Sequence, residues 1–297
     1  MDTLITGVGL LESPRWHDGR LWVADWTAGL IRAIDPAGSV QVVVEHRSLP
    51  MCFDFLPHLP ANEGLVLTSS AQRALLRLSG HGTLSRYADL SALSPHGCND
   101  IVIDGRGNTY VNNVNFDFAT GPPAGDPAPG FVALVRDGAT DGPARVVADD
   151  LAFPNGMAVS ADNATLIVAE SYRHRLTAFD IGADGSLSNR RVWADLGSHS
   201  PDGICIDRDG AVWYADVGDR CCVRIAQHGE VLARVQLDRG AFACMLGGAD
   251  GSTLFVVAAH WPGPQQLMDY TGWDGMVVGI PAPAPSAGWP GAPSSGR

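Results

Sequence analysis

The chain has 297 residues, of which 45 % are hydrophobic and 18 % charged, with a formal charge of −12. Such a chain can build a sizeable core, so wholesale disorder is excluded, and its acidity argues against nucleic acid or an anionic membrane surface as a partner. All 20 basic residues are arginine, which excludes Schiff-base lysine chemistry and the Walker A lysine.

No run of about 18 apolar residues offers a membrane span. The first residues lack the basic-then-apolar pattern of a secretory signal. A cytoplasmic protein with reduced thiols is therefore expected. The six cysteines (Cys52, Cys98, Cys205, Cys221, Cys222, Cys244) include no C-x-x-C pair and no zinc-finger spacing with histidine.

Along the chain, one phrase recurs: a turn, then a short apolar run ending in small or polar residues. The turns are HDG (17–19), ANEG (61–64), DGRGN (104–108), SADN (160–163), DRDG (207–210) and GADG (248–251). The runs are LWVAD (21–25), LVLTSS (65–70), TYVNN (109–113), LIVAES (166–171), VWYAD (212–216) and LFVVAAH (254–260). An apolar segment before each turn completes a β-hairpin. A third strand follows in most copies, as in LIRAID (30–35) and RLTAFD (175–180), and a fourth at VQVVVE (40–45) and RRVWAD (190–195). Three or four strands per unit at this period predict an all-β, six-bladed β-propeller. Residues 1–280 are expected to form it as one domain, with residues 4–9 supplying the outer strand of the last blade. Residues 281–297, rich in Pro, Ala and Gly, are expected to be a disordered tail. The Pro/Gly-rich stretch 116–130 reads as either a surface loop or a lid.

Aligned by their turns, four units start the first strand with a polar residue: Glu12, Asn99, Asn155 and Asp202. Units two and six carry Met51 and Ala243 there. The first strand of a propeller blade lines the central channel, so these four oxygen-bearing side chains are expected to converge at one end of it. Carboxylate and amide oxygens suit a hard divalent cation, calcium before zinc, magnesium or manganese. The second strand of each hairpin returns to the same rim, which adds Trp26, Asn113, Glu170 and His260 as candidate substrate contacts. His96 and Cys98, just before Asn99, reach the mouth as well.

The stretches LLESPRWHDGRLWVADW (10–26), NDIVIDGRGNTYVNN (99–113), FPNGMAVSADNATLIVAES (153–171) and SPDGICIDRDGAVWYAD (200–216) resemble the SMP-30/gluconolactonase/LRE family. The resemblance implies a six-bladed propeller with a divalent metal held by Glu12, Asn155 and Asp202. It implies Asn99 as a substrate contact and Asp202 as general base in lactone hydrolysis. Sugar-lactone members carry arginine two residues before that asparagine, and here the position is Gly97. The expected activity is thus metal-dependent opening of a lactone other than a simple aldonolactone. Two alternatives are another Lewis-acid enzyme on this scaffold, phosphotriesterase-like or biosynthetic, and a binding propeller with a structural cation. No G-x-S-x-G nucleophile elbow is present.

Overall fold

The computed structural model describes residues 1–57, 59–117, 120–121, 129–136 and 144–291. Six antiparallel four-stranded sheets make the six blades of a propeller. Blade I is β2 (Leu11–His17), β3 (Arg20–Asp25), β4 (Leu30–Ile34) and β5 (Val40–Glu45). Blade II is β6 (Phe53–Phe55), β7 (Leu65–Ser69), β8 (Ala74–Leu78) and β9 (Leu84–Asp89), with a one-turn helix, α1 (Ala61–Gly64), where the sequence pattern predicts only a turn. Blade III is β10 (Ile101–Ile103), β11 (Thr109–Asn113), β12 (Gly130–Val135) and β13 (Arg145–Leu151). Blade IV is β14 (Pro154–Val159), β15 (Thr165–Glu170), β16 (Arg175–Ile181) and β17 (Leu187–Asp195). Blade V is β18 (Pro201–Ile206), β19 (Val212–Asp216), β20 (Cys221–Ile225) and β21 (Val231–Gln236). Blade VI joins β22 (Gly240–Gly247), β23 (Thr253–His260) and β24 (Asp274–Pro281) to β1 (Asp2–Val8) at its outer edge. That exchange closes the ring. No helix of the described residues is long and apolar enough to cross a membrane.

Burial follows the radius. The second strands β3, β7, β11 and β19 are buried almost throughout, because each is covered by blades on both faces and so needs an unbroken apolar run. The outer strands β5, β9, β17, β21 and β1 are largely exposed and carry charged residues that keep free edges from pairing. The first hairpin shows how turn chemistry sets register. Asp18 and Gly19 both have positive φ (49° and 69°), and the turn pairs His17 with Arg20. All six cysteines are free and buried.

At the end of the channel that holds the polar residues, the inner strands bulge. Register shifts follow Glu12 in β2, Pro154 in β14 and Pro201 in β18, and Ser13 sits at φ 52°. A bulge re-aims the side chains around it. Neighbouring inner strands also come very close. A Cβ on Gly156 would lie 2.5 Å from Asp202 O, and one on Gly203 would lie 2.3 Å from Ala243 Cβ. Only glycine permits that approach.

The far end of the channel is crossed by residues 282–291, which the sequence composition assigns to a disordered tail. Their backbone is bonded in place. Ala282 N and Ser286 N donate to Ser252 O and Gly251 O of blade VI. Pro285 O accepts from Arg208 N, and Ala287 N donates to Ile206 O, both in blade V. Gly291 N donates to Ala161 O of blade IV (3.0 Å), and Pro290 O lies against Gly105 of blade III. Trp289 meets edge-on the stacked pair His17 and Phe55 of blades I and II, at 5.4 and 6.2 Å. Main-chain bonds form regardless of side-chain composition, so a Pro/Ala-rich segment is ordered wherever a scaffold supplies partners. Residues 292–297, and most of the candidate lid (118–119 and 122–128), lie outside the described residues. Trp289→Ala should lower unfolding free energy by about 2 kcal/mol in urea titration while leaving the opposite end of the channel unchanged. No loss would mean that the strap contributes nothing to the closed ring.

Candidate functional site

A cavity of about 280 Å³ opens at the other end of the channel, and Glu12, Asn99, Asn155 and Asp202 all line it. Four different blades deliver them: Glu12, Asn155 and Asp202 are the second residues of their inner strands, and Asn99 stands two residues before its own. Asn99 Nδ2 donates to Asn155 Oδ1 at 3.3 Å and to Pro154 O at 3.3 Å. Asn155 also hydrogen-bonds to the Asp202 carboxyl and donates to Ser171 Oγ at 3.4 Å. Ser171 in turn donates to Pro201 O, which ties blade IV to blade V beside the cavity. Asn112 braces the same wall: its Nδ2 donates to Asn155 O at 2.6 Å and its Oδ1 accepts from Asp100 N at 3.0 Å.

Two residues of this cavity escape a reading by strand alternation, Arg15 and Asp100. The bulge after Glu12 brings Arg15 into the channel, where it separates the cavity from a second one of about 340 Å³ beneath the 282–291 strap. Its guanidinium lies 3.4 Å from Asp54 and 3.8 Å from Asp100, and donates to Ile101 O at 2.7 Å. Asp54 and Asp100 accept from Ile103 N and Met157 N respectively. Each carboxylate pins the inner strand of the next blade.

Around Arg15 the two cavities bring four carboxyl groups, Glu12, Asp54, Asp100 and Asp202, while Arg208 and Asp250 line only the cavity beneath the strap. Asp54 and Asp100 are the pair that Arg15 serves. Glu12 Oε2 accepts from Ser13 N at 3.1 Å, and Asp202 has Asn155; neither is ion-paired among the described residues. Burial, with the charge of Asp100, pushes Glu12 up to about 8. Burial, then the charges of Glu12, Asp100 and Asp216, pushes Asp202 well above the usual carboxylate range. A hard divalent cation fits this donor set. It would offset both acids, and the amides of Asn99 and Asn155 line the same cavity.

Of the other sequence candidates, Trp26 lines the cavity and donates from Nε1 to Met51 O at 2.6 Å. The rest are placed elsewhere. Glu170 is fully buried in its own network, held by Arg175, Arg173, Thr177 and the Ala152 N–H. Asn113 is buried and donates to His96 O at 3.0 Å and toward Cys98 Sγ at 3.8 Å; these three residues brace the loop before Asn99. His260 is half exposed at the end of β23, 4.0 Å from Asp274. One cluster that strand register does not reveal is His199 with Asp216 and Asp219 on blade V. It is closed on itself: Asp216 accepts from Ser200 N, Asp219 N and His199 Nδ1.

Gly97 explains the missing arginine of the sugar-lactone pattern. A Cβ there would stand 2.4 Å from Ser70 Cβ, and the Ser70 hydroxyl is fixed on Pro50 O at 3.0 Å.

The profile of the SMP-30/Gluconolactonase/LRE-like region matches residues 10–260. The chain belongs to that family. A 6-deoxy-6-sulfogluconolactonase of Pseudomonas putida is 29 % identical over 121 residues, 39 % of this chain and 42 % of that protein. The diisopropyl-fluorophosphatase of Loligo vulgaris is 30 % identical over 161 residues, 48 % of each chain. The chain thus spans less than half the length of these curated relatives. Among solved structures, a calcium-binding regucalcin from Agrobacterium tumefaciens superimposes with a TM-score of 0.72 at 19 % identity, covering 96 % of both chains. At that identity the match shows the shared fold.

Proposed function

We propose that this family member is a divalent-metal-dependent lactonase-type hydrolase whose substrate is not a simple aldonolactone. One observation carries the reading: two acids without an ion-pair partner, Glu12 and Asp202, share a cavity with the amides of Asn99 and Asn155. Glu12, Asn155 and Asp202 would hold the cation, with calcium the best match for an all-oxygen set. A bound cation supplies Lewis acidity at the lactone carbonyl and makes a nearby water more acidic. Asp202 accepts a proton from the attacking water and returns it to the departing ring oxygen. The acyl carbon–oxygen bond breaks, and the product is an open-chain hydroxy acid. Asn99 donates an amide N–H to the carbonyl oxygen as negative charge builds there. The blocked position at Gly97 supports the exclusion of an arginine-clamped sugar lactone.

The test is hydrolysis of a panel of sugar and non-sugar lactones in a pH-stat, on chelated protein and on protein reloaded with calcium, magnesium, manganese or zinc. Turnover that disappears on chelation and returns with metal is expected. The similarity to a diisopropyl-fluorophosphatase favours one second reading, a phosphorus electrophile in the same cavity. Turnover of a fluorophosphonate with none of any lactone would favour it.

Stability gives a second check. In the metal-free protein Glu12 keeps its proton up to about 8, whereas the unfolded chain releases it near 4.5. The folded state binds more protons in that window, so this stabilisation is full below about 4.5 and lost as pH rises toward 8. Urea titrations with chelator should show a decline of roughly 3–5 kcal/mol from this group between those limits. Saturating calcium should remove most of it, so the gap between loaded and chelated protein widens with pH. A gap independent of pH would take Glu12 out of the cation's shell.

A further inference from the structure

The floor of the active cavity is polar, and its walls are not. Trp26, Phe153, Val217, Phe242, Trp261 and Leu267 line it above the acids and amides. Two aromatic clusters stand on the two sides of blade V. On blade IV, Phe153 packs with Tyr172 at 4.7 Å and with Phe116 of blade III at 5.7 Å. On blade VI, Phe242 meets Trp261 at 6.3 Å and Trp273 at 5.9 Å, and the two tryptophans lie edge-on at 5.5 Å. Between them blade V brings no aromatic ring to the cavity lining, only Asp202, Gly203, Ile204 and Val217. The outermost ring of each cluster is left to solvent: Trp261 is 48 % exposed and Tyr172 47 %.

Large aromatic surface facing water beside a cavity is what an apolar ligand covers. A polyhydroxy ring would fare badly here. Each hydroxyl pressed against these walls gives up hydrogen bonds to water without replacement. The position from which a cation would clamp such hydroxyls is sealed by Ser70 against Gly97. Flat rings stack or meet edge-on with aromatic side chains at centroid separations of about 4.5–7 Å.

We propose that the substrate is a lactone bearing a flat apolar substituent, an aryl group or its like, seated between the Phe242–Trp261 wall and the Phe153–Tyr172 wall. This rests on the hydrolase reading for the carbonyl end alone. The substituent is recognised by walls that have no part in the chemistry.

The experiment separates the two. The probe for recognition is 5-phenyl-2-pyrrolidinone, the lactam analogue of γ-phenyl-γ-butyrolactone, whose binding is measured by calorimetry on the calcium-loaded full chain. It should bind at least tenfold more tightly than the unsubstituted pyrrolidinone; Trp261→Ala should erase most of that ratio, and Tyr172→Ala, which removes the ring packed behind Phe153, a smaller part of it. Both side chains are half exposed, so the variants retain the fold. In turnover, γ-phenyl-γ-butyrolactone should exceed glucono-1,5-lactone in kcat/KM by 100-fold or more, with most of the gain lost in Trp261→Ala. Binding of the phenyl lactam that depends on Trp261, without hydrolysis of any lactone, supports the aromatic seat for the substituent and overturns the hydrolase reading, and with it the lactone end of the ligand. No preference for the phenyl ring in binding overturns this inference and leaves the hydrolase reading standing, whereas equal or better hydrolysis of the sugar lactone overturns both this inference and the exclusion of an aldonolactone and leaves only the lactone-hydrolysing activity.

Discussion

Asp202→Asn should lower kcat/KM for any lactone the protein opens by about 10³-fold or more, while the chelated variant becomes more stable than the chelated parent. The activity loss combines two roles. Asparagine cannot accept the proton of the attacking water, and it removes one of the two negative charges that would hold the cation. The gain in stability has the opposite origin. Asp202 sits among Glu12, Asp100 and Asp216, and burial with like charge disfavours its ionised form. A neutral isostere relieves that, by about 1–2 kcal/mol at pH 7. Steady-state kinetics with saturating calcium and a urea titration with chelator read the two effects. A variant that keeps a tenth of the parent activity would take Asp202 out of the chemistry.

Arg15→Met should cost about 3–5 kcal/mol of stability at pH 7 and clearly less at pH 5. Methionine fills much of the volume but leaves Asp54 and Asp100 buried without their cation. Both carboxylates hold backbone N–H groups of a neighbouring blade, so they cannot swing away without opening the ring. Their escape is protonation. Without the guanidinium their pKa values rise further, so the penalty is present at high pH and relieved as pH falls. Urea titrations of parent and variant at the two pH values test this. A loss below 1 kcal/mol at pH 7 would show that the two acids carry protons in the native protein.

The hairpins were legible because two local signals coincide, a turn rich in Asp, Asn and Gly and an apolar run with a small or polar end. The cavity was legible for a topological reason: equivalent positions of a radial repeat meet on one axis, so Glu12, Asn99, Asn155 and Asp202 needed only correct alignment. Arg15 was hidden because a bulge breaks the period-two rule where it is most needed, just past Glu12, and Asp100 because it precedes its strand, where alternation does not apply. Glu170 ends its strand as Asp25 and Asp216 do, yet arginines from the following turn and strands close around it. No spacing rule announces that. The strap is the hardest case. Its order comes from main-chain bonds to other blades, and its one visible signal is Trp289, a large apolar residue in a segment otherwise poor in them.

Ring closure by β1 and β24 also sets a timetable. These partners are about 270 residues apart in sequence, so at a synthesis rate of about 5–20 residues per second β1 waits roughly 15–50 s for its mate. Throughout that interval β1 has no sheet to join, and the early blades stand as an open arc with an unfilled seam. The strap, emerging later still, reaches all six blades only once that seam has shut. Assembly of this propeller is therefore completed after nearly the whole chain is made. The interval before closure is when intermolecular pairing through the seam competes with the native join.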